Sequence, residues 1–308
     1  RCAPENLPLL ALGHILAKAG DNEGAVIETI AVETVEHETV TVRGRFLSAL
    51  LESRIIWETE SLHGDIGDCI GLLLDNNAIC PADADRAIPK LAYEKVLFGR
   101  EIALQVSFKN LLETVTGIVS EAGIGLKGEL KNSKATITLY QGQEQPFVFS
   151  REYENLLSQS YTDSIKDAAN IAKVAGEGEG AERQVLVVGE VAGIDRREIF
   201  VDAKDLRAGE YEDYEQYLAA LALRGQEKLF ARRPRESFEA AANTNSNLTY
   251  RVDFDLGDIV TVKSSLQGLS RRLRITEVVE TYDAEGLHVD LVFGDPLPTL
   301  GERLKGVI

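Results

Sequence analysis

Several features that mark common protein classes are missing from this sequence. No apolar run approaches the roughly 20 residues of a membrane-spanning helix, and no signal-peptide pattern stands at the start, so we expect no membrane insertion. Basic residues are scarce: 33 Lys and Arg face 50 Asp and Glu, and the formal net charge is −17. This excess of acid argues against non-specific binding to nucleic acid or anionic membranes.

Cysteine, methionine and aromatic residues are also few. Cys2, Cys69 and Cys80 have no C-x-x-C spacing, which indicates free thiols in a reducing compartment and neither a disulfide framework nor a zinc site. Methionine is absent even from position 1, so we expect a fragment or omitted positions and base no interpretation on a single offset. The length of 308 residues favours two or three domains.

Motifs of catalysis and metal binding are absent as well. The sequence contains no G-x-S-x-G elbow, H-E-x-x-H pair or Walker loop, and His14, His37, His63 and His288 lie far apart. The acidic cluster in DFDLGD, residues 253–258, does not have the spacing of an EF-hand, so we interpret it as a turn. We therefore predict no enzyme, no catalytic or metal-binding residue and no cofactor.

A glycine-rich stretch, VAGEGEGAERQVLVV at residues 174–188, formally satisfies the G-x-G-x-x-G/A dinucleotide fingerprint. That motif binds pyrophosphate only when a helix follows it, whereas the run after Gln184 is β-branched and predicts a strand. Glu177 and Glu179 would also repel an anionic ligand. We therefore predict a β-hairpin with an acidic loop.

Periodicity predicts strands at both ends of the chain and helices in between. Strand patterns cover 25–33, 39–43, 124–130, 135–140, 164–175, 183–189, 197–202, 250–254, 259–263, 273–282 and 287–293. Helical spacing covers a short segment from Phe46, then 66–73 with Asp65 as N-cap, 108–119 with Ser107 as N-cap and Gly123 at its end, and 211–232. Trp57 is predicted to be a buried anchor, and Tyr214 and Tyr217 to be packing residues.

The last four of these strands predict an antiparallel meander. In the final strand Leu287, Val289, Leu291 and Phe293 alternate with polar neighbours such as His288, which predicts one buried face. The sequence thus indicates an α+β fold that is mainly antiparallel β.

Seven segments, in order along the chain, resemble the siphovirus tail-hub (tail-tip, Gp37-like) proteins of phages and prophages of Gram-positive bacteria. These segments are Arg54–Trp57, Val106–Glu113, Val174–Gly180, Gly193–Ala203, Asp255–Val260, Arg274–Glu277 and Phe293–Leu300. Members usually begin with a further strand-rich segment, and larger ones carry a C-terminal extension with a cell-wall hydrolase; we expect this chain to lack both.

The resemblance implies a fold like the baseplate hub of contractile tails, with two β-barrel-like tube domains and a smaller α/β domain between them. The expected limits are 1–58 for the first tube domain, 59–147 for the α/β domain, 148–296 for the second tube domain with a helix inserted near 211–232, and 297–308 for a tail.

The resemblance further implies a structural protein of the virion tail, made in the host cytoplasm. Three copies would surround the DNA channel and join the tail tube, distal tail and tape-measure proteins to the tip and receptor-binding proteins, while DNA passes without specific binding. Glu177 and Glu179 are candidate pore-lining residues. The alternatives are a tail-associated cell-wall hydrolase and a carbohydrate-binding tip module, although only 6% of residues are aromatic.

Overall fold

The computed structural model describes residues 4–34, 38–211, 213–265 and 268–295. The chain divides into two compact units, Arg1–Gly142 and Gln143–Ile308. Both are built mainly from antiparallel strands with fewer helices, so the predicted α+β class is confirmed. Across the described ranges no sheet closes into a barrel, and none of the helices there has the length and apolarity to cross a membrane.

The first unit contains three small sheets, with strand orders β1-β2-β3, β4-β6 and β5-β8-β7. Its strands are β1 (Ile15–Ala17), β2 (Gly24–Thr34), β3 (Glu38–Phe46), β4 (Glu60–Asp65), β5 (Leu91–Glu94), β6 (Glu101–Val106), β7 (Gly125–Lys131) and β8 (Lys134–Tyr140). Its helices are α1 (Ile66–Leu74), which continues as a π-helix (Asp75–Ile79), α2 (Leu111–Glu121), and 3-10 helices at Pro4–Leu9, Leu47–Ser53 and Ala84–Arg86.

The ends of the two α-helices show where the sequence patterns were right and where they were wrong. Asp65 caps α1 as predicted, since its carboxylate accepts a hydrogen bond from the Gly67 N–H at 2.8 Å. The predicted cap of α2 was wrong: Asn110, and not Ser107, accepts from the N–H at the third helical position. Gly123 ends α2 with a φ of 64°, as expected for a left-handed C-terminal glycine.

One core holds the first unit together. The apolar stripes of α1 and α2 lie in one core cluster with the buried residues of the 3-10 helix at Leu47–Ser53, which explains why the spacing of their apolar residues predicted them. Each fully buried aliphatic side chain there stabilises the fold by about 1.5–3 kcal/mol relative to exposure. They include Leu47, Leu51, Ile56, Leu62, Ile66, Ile70, Leu73, Leu111, Val115 and Ile137.

The second unit is built on a six-stranded sheet with the order β10-β14-β17-β16-β15-β9 and a three-stranded sheet with the order β12-β11-β13. Its strands are β9 (Glu144–Phe149), β10 (Leu156–Ser164), β11 (Ile171–Ala175), β12 (Val185–Val188), β13 (Glu198–Asp202), β14 (Arg235–Ala242), β15 (Ile259–Ser264), β16 (Leu269–Tyr282) and β17 (Leu287–Gly294). Its helices are α3 (Tyr214–Ala231) and 3-10 turns at Arg151–Tyr153, Gly180–Glu182, Gly193–Asp195 and Ala208–Glu210.

The C-terminal meander is confirmed for β15, β16 and β17, which pair antiparallel in sequence order. Val289, Leu291 and Phe293 are buried, so the predicted face and register are correct for them, but Leu287 at the strand start is exposed and was wrongly placed on the buried face. The predicted strand at 250–254 was wrong: this segment is a turn, because the N–H groups of Val252 and Asp253 donate to the Thr249 carbonyl at 3.2 and 2.9 Å.

The smaller sheet and α3 form a module inserted into the larger sheet. The chain leaves the large sheet at Ser164, builds β11, β12, β13 and α3, and re-enters at Arg235. Ser164 and Arg235 are direct partners in the antiparallel pairing of β10 and β14, so the module is attached at one point of the sheet.

Candidate functional site

The glycine-rich stretch lies in this inserted module and is the hairpin that its sequence predicted. β11 and β12 pair antiparallel on either side of it. The Gly176 N–H donates to the Gln184 carbonyl at 2.9 Å, and the Gln184 N–H donates to the Glu177 carbonyl at 3.1 Å. A single 3-10 turn and then a strand follow the glycines, so the loop does not present a helix N-terminus to a phosphate.

The glycine at the start of the loop is required by packing. A Cβ atom at Gly176 would lie 2.1 Å from the Tyr217 hydroxyl, which belongs to α3. That hydroxyl accepts a hydrogen bond from the Glu177 N–H at 3.0 Å. The start of the loop is thus held against α3, and Gly176 has a structural role.

The two glutamates that the sequence singled out occupy different environments. The Glu177 carboxylate is half-buried and accepts a hydrogen bond from the Ala208 N–H at 3.1 Å, so it links the loop to the 3-10 turn at Ala208–Glu210. The Glu179 side chain is exposed. Only Glu179 therefore presents its charge fully to the surroundings.

Arg183 supplies the positive charge of this loop. Its guanidinium donates to the Gly176 carbonyl at 2.9 Å and to the Ala175 carbonyl at 2.8 Å, and it forms an ion pair with Asp202 on β13. Because these contacts all lie within the inserted module, Arg183 stabilises the loop and ties it to β13.

The acidic cluster in DFDLGD is also a structural turn. The buried Asp258 carboxylate accepts from the Gln143 N–H at 2.7 Å, from the Gln145 side-chain amide at 2.9 Å and from the Asp255 N–H at 3.0 Å. Such hydrogen bonds use the oxygen atoms that a cation would need. Over the described ranges, no group of three or more His, Cys, Asp or Glu side chains is placed to hold a metal ion.

The cysteines and histidines do not form a reactive centre in the part of the chain that the structure describes. Burial raises the pKa of the Cys69 thiol, and the nearby charges of Asp68 and Asp65 raise it further, so this cysteine stays a neutral thiol. Cys80 is exposed and is not part of a disulfide. Cys2 and His37 lie outside the described residues.

The sequence patterns missed a surface feature formed by the exposed side chains of Trp57 and Phe108. Trp57 was predicted to be buried but is exposed, and Phe108 was assigned to the α2 stripe but lies before the helix, also exposed. The two segments pair: the Ile56 N–H donates to the Lys109 carbonyl at 2.9 Å, and the Phe108 N–H donates to the Ile56 carbonyl at 2.9 Å. An exposed aromatic pair on neighbouring segments is typical of an interaction surface.

Buried polar residues hold Trp57 in place. The Asn77 side-chain oxygen accepts from the Trp57 N–H at 3.0 Å, and the Asn77 amide donates to the Glu60 carboxylate at 2.5 Å. Asn77 lies in the π-helix, a form of helix that often marks functional positions. Arg86 covers the indole ring, with its guanidinium carbon 4.8 Å from the ring centre.

Comparison with known proteins assigns the chain to a family. The model of the siphovirus ReqiPepy6 Gp37-like protein matches residues 1–295. This chain belongs to that family. The resemblance predicted from the seven sequence segments is therefore confirmed.

Solved structures share the fold of this Gp37-like protein. A tail protein from Neisseria meningitidis MC58 superposes with a TM-score of 0.55 and 13% identity, over 89% of this chain and 80% of that chain. The 43 kDa tail protein of prophage MuSo2 from Shewanella oneidensis gives 0.51 and 11%, over 88% and 78%. Prophage tail protein gp18 from Listeria monocytogenes EGD-e gives 0.51 and 9%, over 97% and 85%. None of the curated proteins matches the chain.

Proposed function

We propose that this Gp37-like protein is a structural component of a phage or prophage tail, and that it forms the hub at the tail tip. The observation that carries the proposal is the family match over residues 1–295. The likeness of its fold to solved tail proteins supports a scaffold role. In this role the protein joins the tail tube to the tip and receptor-binding apparatus.

The two tube-like domains of a hub belong to the same proposal. Each compact unit is rich in strands, and the six-stranded sheet of the second unit is open, with β9 and β10 at its edges. Open sheet edges carry unpaired backbone groups, which favour assembly with other strands. Three copies would place six such domains around an axis. Within each chain we propose limits of 1–58 for the first tube domain, 59–147 for the α/β domain, 148–296 for the second tube domain and 297–308 for the tail.

The excess negative charge of the chain would have a role in such a ring. A channel for DNA and the tape-measure protein must not retain either, and an acidic wall repels phosphates where a basic wall would bind them. Three chains of net charge −17 carry 3 × −17, or −51. We propose that the hairpin loop contributes to this wall, with exposed Glu179 supplying charge and Glu177 fixing the loop shape.

The proposed partners are the other proteins of the tail: the tail tube and distal tail proteins on one side and the tip proteins on the other. The protein would be made in the host cytoplasm and assembled into the virion tail. Each contact is a protein–protein interface, which requires no cofactor.

Cryo-electron microscopy of intact tails tests the proposal directly. We expect density for three copies of this chain around the axis at the tail tip, with an acidic channel wall. Density elsewhere in the particle, or a neutral or basic wall, contradicts the corresponding part of the proposal. Zymography on host cell walls and binding of wall glycans test the hydrolase and carbohydrate-binding alternatives, and we expect neither activity.

A further inference from the structure

The surface around Trp57 and Phe108 has the features of a built contact site. It comprises the aromatic side chains of Trp57 and Phe108, the aliphatic Ile55, and the guanidinium groups of Arg54 and Arg86. We call these five residues the bulge patch. The exposed fractions are 72% for Phe108, 54% for Trp57 and 42% for Ile55, which are high values for side chains of this size.

Phe108 occupies a backbone position that does not suit it. The hydrogen bonds that link Ile56 to Phe108 and Lys109 place two residues opposite one, which is the geometry of a β-bulge whose first residue is left-handed. That residue is usually glycine, whereas here it is Phe108 with a φ of 53°. A bulky residue in this region is strained, and strained positions of this kind cluster at functional sites.

The two arginines of the bulge patch are bound only to neutral acceptors. Arg54 donates to the Arg86 carbonyl at 2.6 Å and to the Ser53 carbonyl at 3.0 Å. Arg86 donates to the Ile55 carbonyl at 2.8 Å. Neither guanidinium forms an ion pair with a carboxylate of the described residues. Their charge is therefore available to a carboxylate from another molecule.

We infer that the bulge patch is a contact between copies of this chain and receives a carboxylate-bearing segment of a neighbouring copy. The inference rests on the proposed ring. Two chains of net charge −17 repel each other, so a contact between them needs local cations at the point of approach. Exposed aromatic residues beside arginine are also the residue types that contribute most to protein–protein binding.

The geometry favours protein over carbohydrate as the occupant. Sugars bind by stacking on an open aromatic face, and Arg86 already lies over the Trp57 ring. A carboxylate, in contrast, can approach the guanidinium edge while the apolar part of its segment contacts Phe108 and Ile55.

Sedimentation equilibrium of the purified chain tests the inference, with Phe108→Gly and Trp57→Ala as variants. We expect each variant to weaken self-association about 30-fold, as for a central contact residue. Phe108→Gly should at the same time keep or raise the melting temperature, because glycine removes the left-handed strain. This opposite effect on stability separates loss of contact from loss of folding.

Ile194→Ser is the matched control, because Ile194 is 96% exposed and lies outside the bulge patch. It should leave self-association unchanged. If Phe108→Gly and Trp57→Ala associate as the wild type does, the inference is wrong and the proposed hub stands. If the wild-type chain stays monomeric in sedimentation equilibrium and cryo-electron microscopy finds no copy of it at the tail tip, both the inference and the proposed ring are wrong. Binding of purified wall glycan that Trp57→Ala abolishes would also overturn the inference, in favour of carbohydrate.

Discussion

Phe293→Ala is the sharpest test of the second unit. Phe293 is fully buried in β17 and lies at the centre of an aromatic cluster. Its ring centre is 5.3 Å from that of Phe149 and 6.1 Å from that of Phe238. Truncation therefore removes the buried ring area, leaves a cavity between three strands, and breaks two ring contacts at once.

The expected loss follows from these contacts. Buried Phe→Ala substitutions cost about 3–5 kcal/mol, and each aromatic pair contributes about 0.5–1.5 kcal/mol beyond its buried area. Because the measured range for Phe→Ala already includes such ring contacts, we expect a loss in its upper part, about 4–5 kcal/mol, in the free energy of unfolding. For a unit of this size the melting temperature should fall by about 8–20 °C.

Urea denaturation followed by far-ultraviolet circular dichroism measures this loss. Fluorescence of Trp57, the single tryptophan of the chain, reports the first unit separately. Val292→Thr is the control, because Val292 is the next residue but points to the opposite, half-exposed face. It should cost about 1 kcal/mol or less. Equal losses at the two positions would refute the assigned register of β17.

Three further predictions concern other parts of the fold. Gly225→Ala should destabilise the protein by about 1–3 kcal/mol, because the new Cβ would lie 2.7–2.8 Å from two valine methyl groups. Gly117→Ala has open space around the new Cβ and should stabilise the protein by about 0.5–1 kcal/mol. Shifts of the urea midpoint in the same direction for both variants would contradict this. Asp258→Ala should cost about 1–3 kcal/mol by leaving buried N–H groups without an acceptor, and calcium should not raise the wild-type melting temperature. For Asp65, loss of hydration raises the pKa, but hydrogen bonds from several backbone N–H groups outweigh it and hold the pKa below its usual value. The wild type should therefore be more stable than Asp65→Asn above about pH 4, and the gap should close as the pH falls through the lowered pKa; a gap that persists at the lowest pH would argue against this role.

Local patterns predicted much of this fold because each relied on contacts within a few residues. Alternation in β17 determined which side chains are buried, and the run after Gln184 distinguished a hairpin from a nucleotide-binding loop. The segment at 250–254 failed for the same local reason: the Asp253 carboxylate accepts from the Thr249 N–H at 2.7 Å, and this turn outweighs the strand pattern.

The features that escaped prediction depend on contacts far apart in sequence. Trp57 is exposed because its backbone is held by Asn77, 20 residues away, and not by burial of its ring. Phe108 matched the helical stripe of α2, and only its left-handed backbone shows that it belongs to a bulge. Glu177 differs from Glu179 through one hydrogen bond to Ala208, which no sequence pattern indicates.

The attachment of the inserted module at Ser164 and Arg235 has an evolutionary consequence. Because these residues are partners across β10 and β14, a tight turn could join them and leave the strand pairing unchanged. The module also has its own core, around Val174, Tyr217 and Leu221. A phage lineage could thus exchange, enlarge or lose it in one recombination event without altering the sheet that carries it. The same junction is the natural place at which to graft a foreign domain onto this protein.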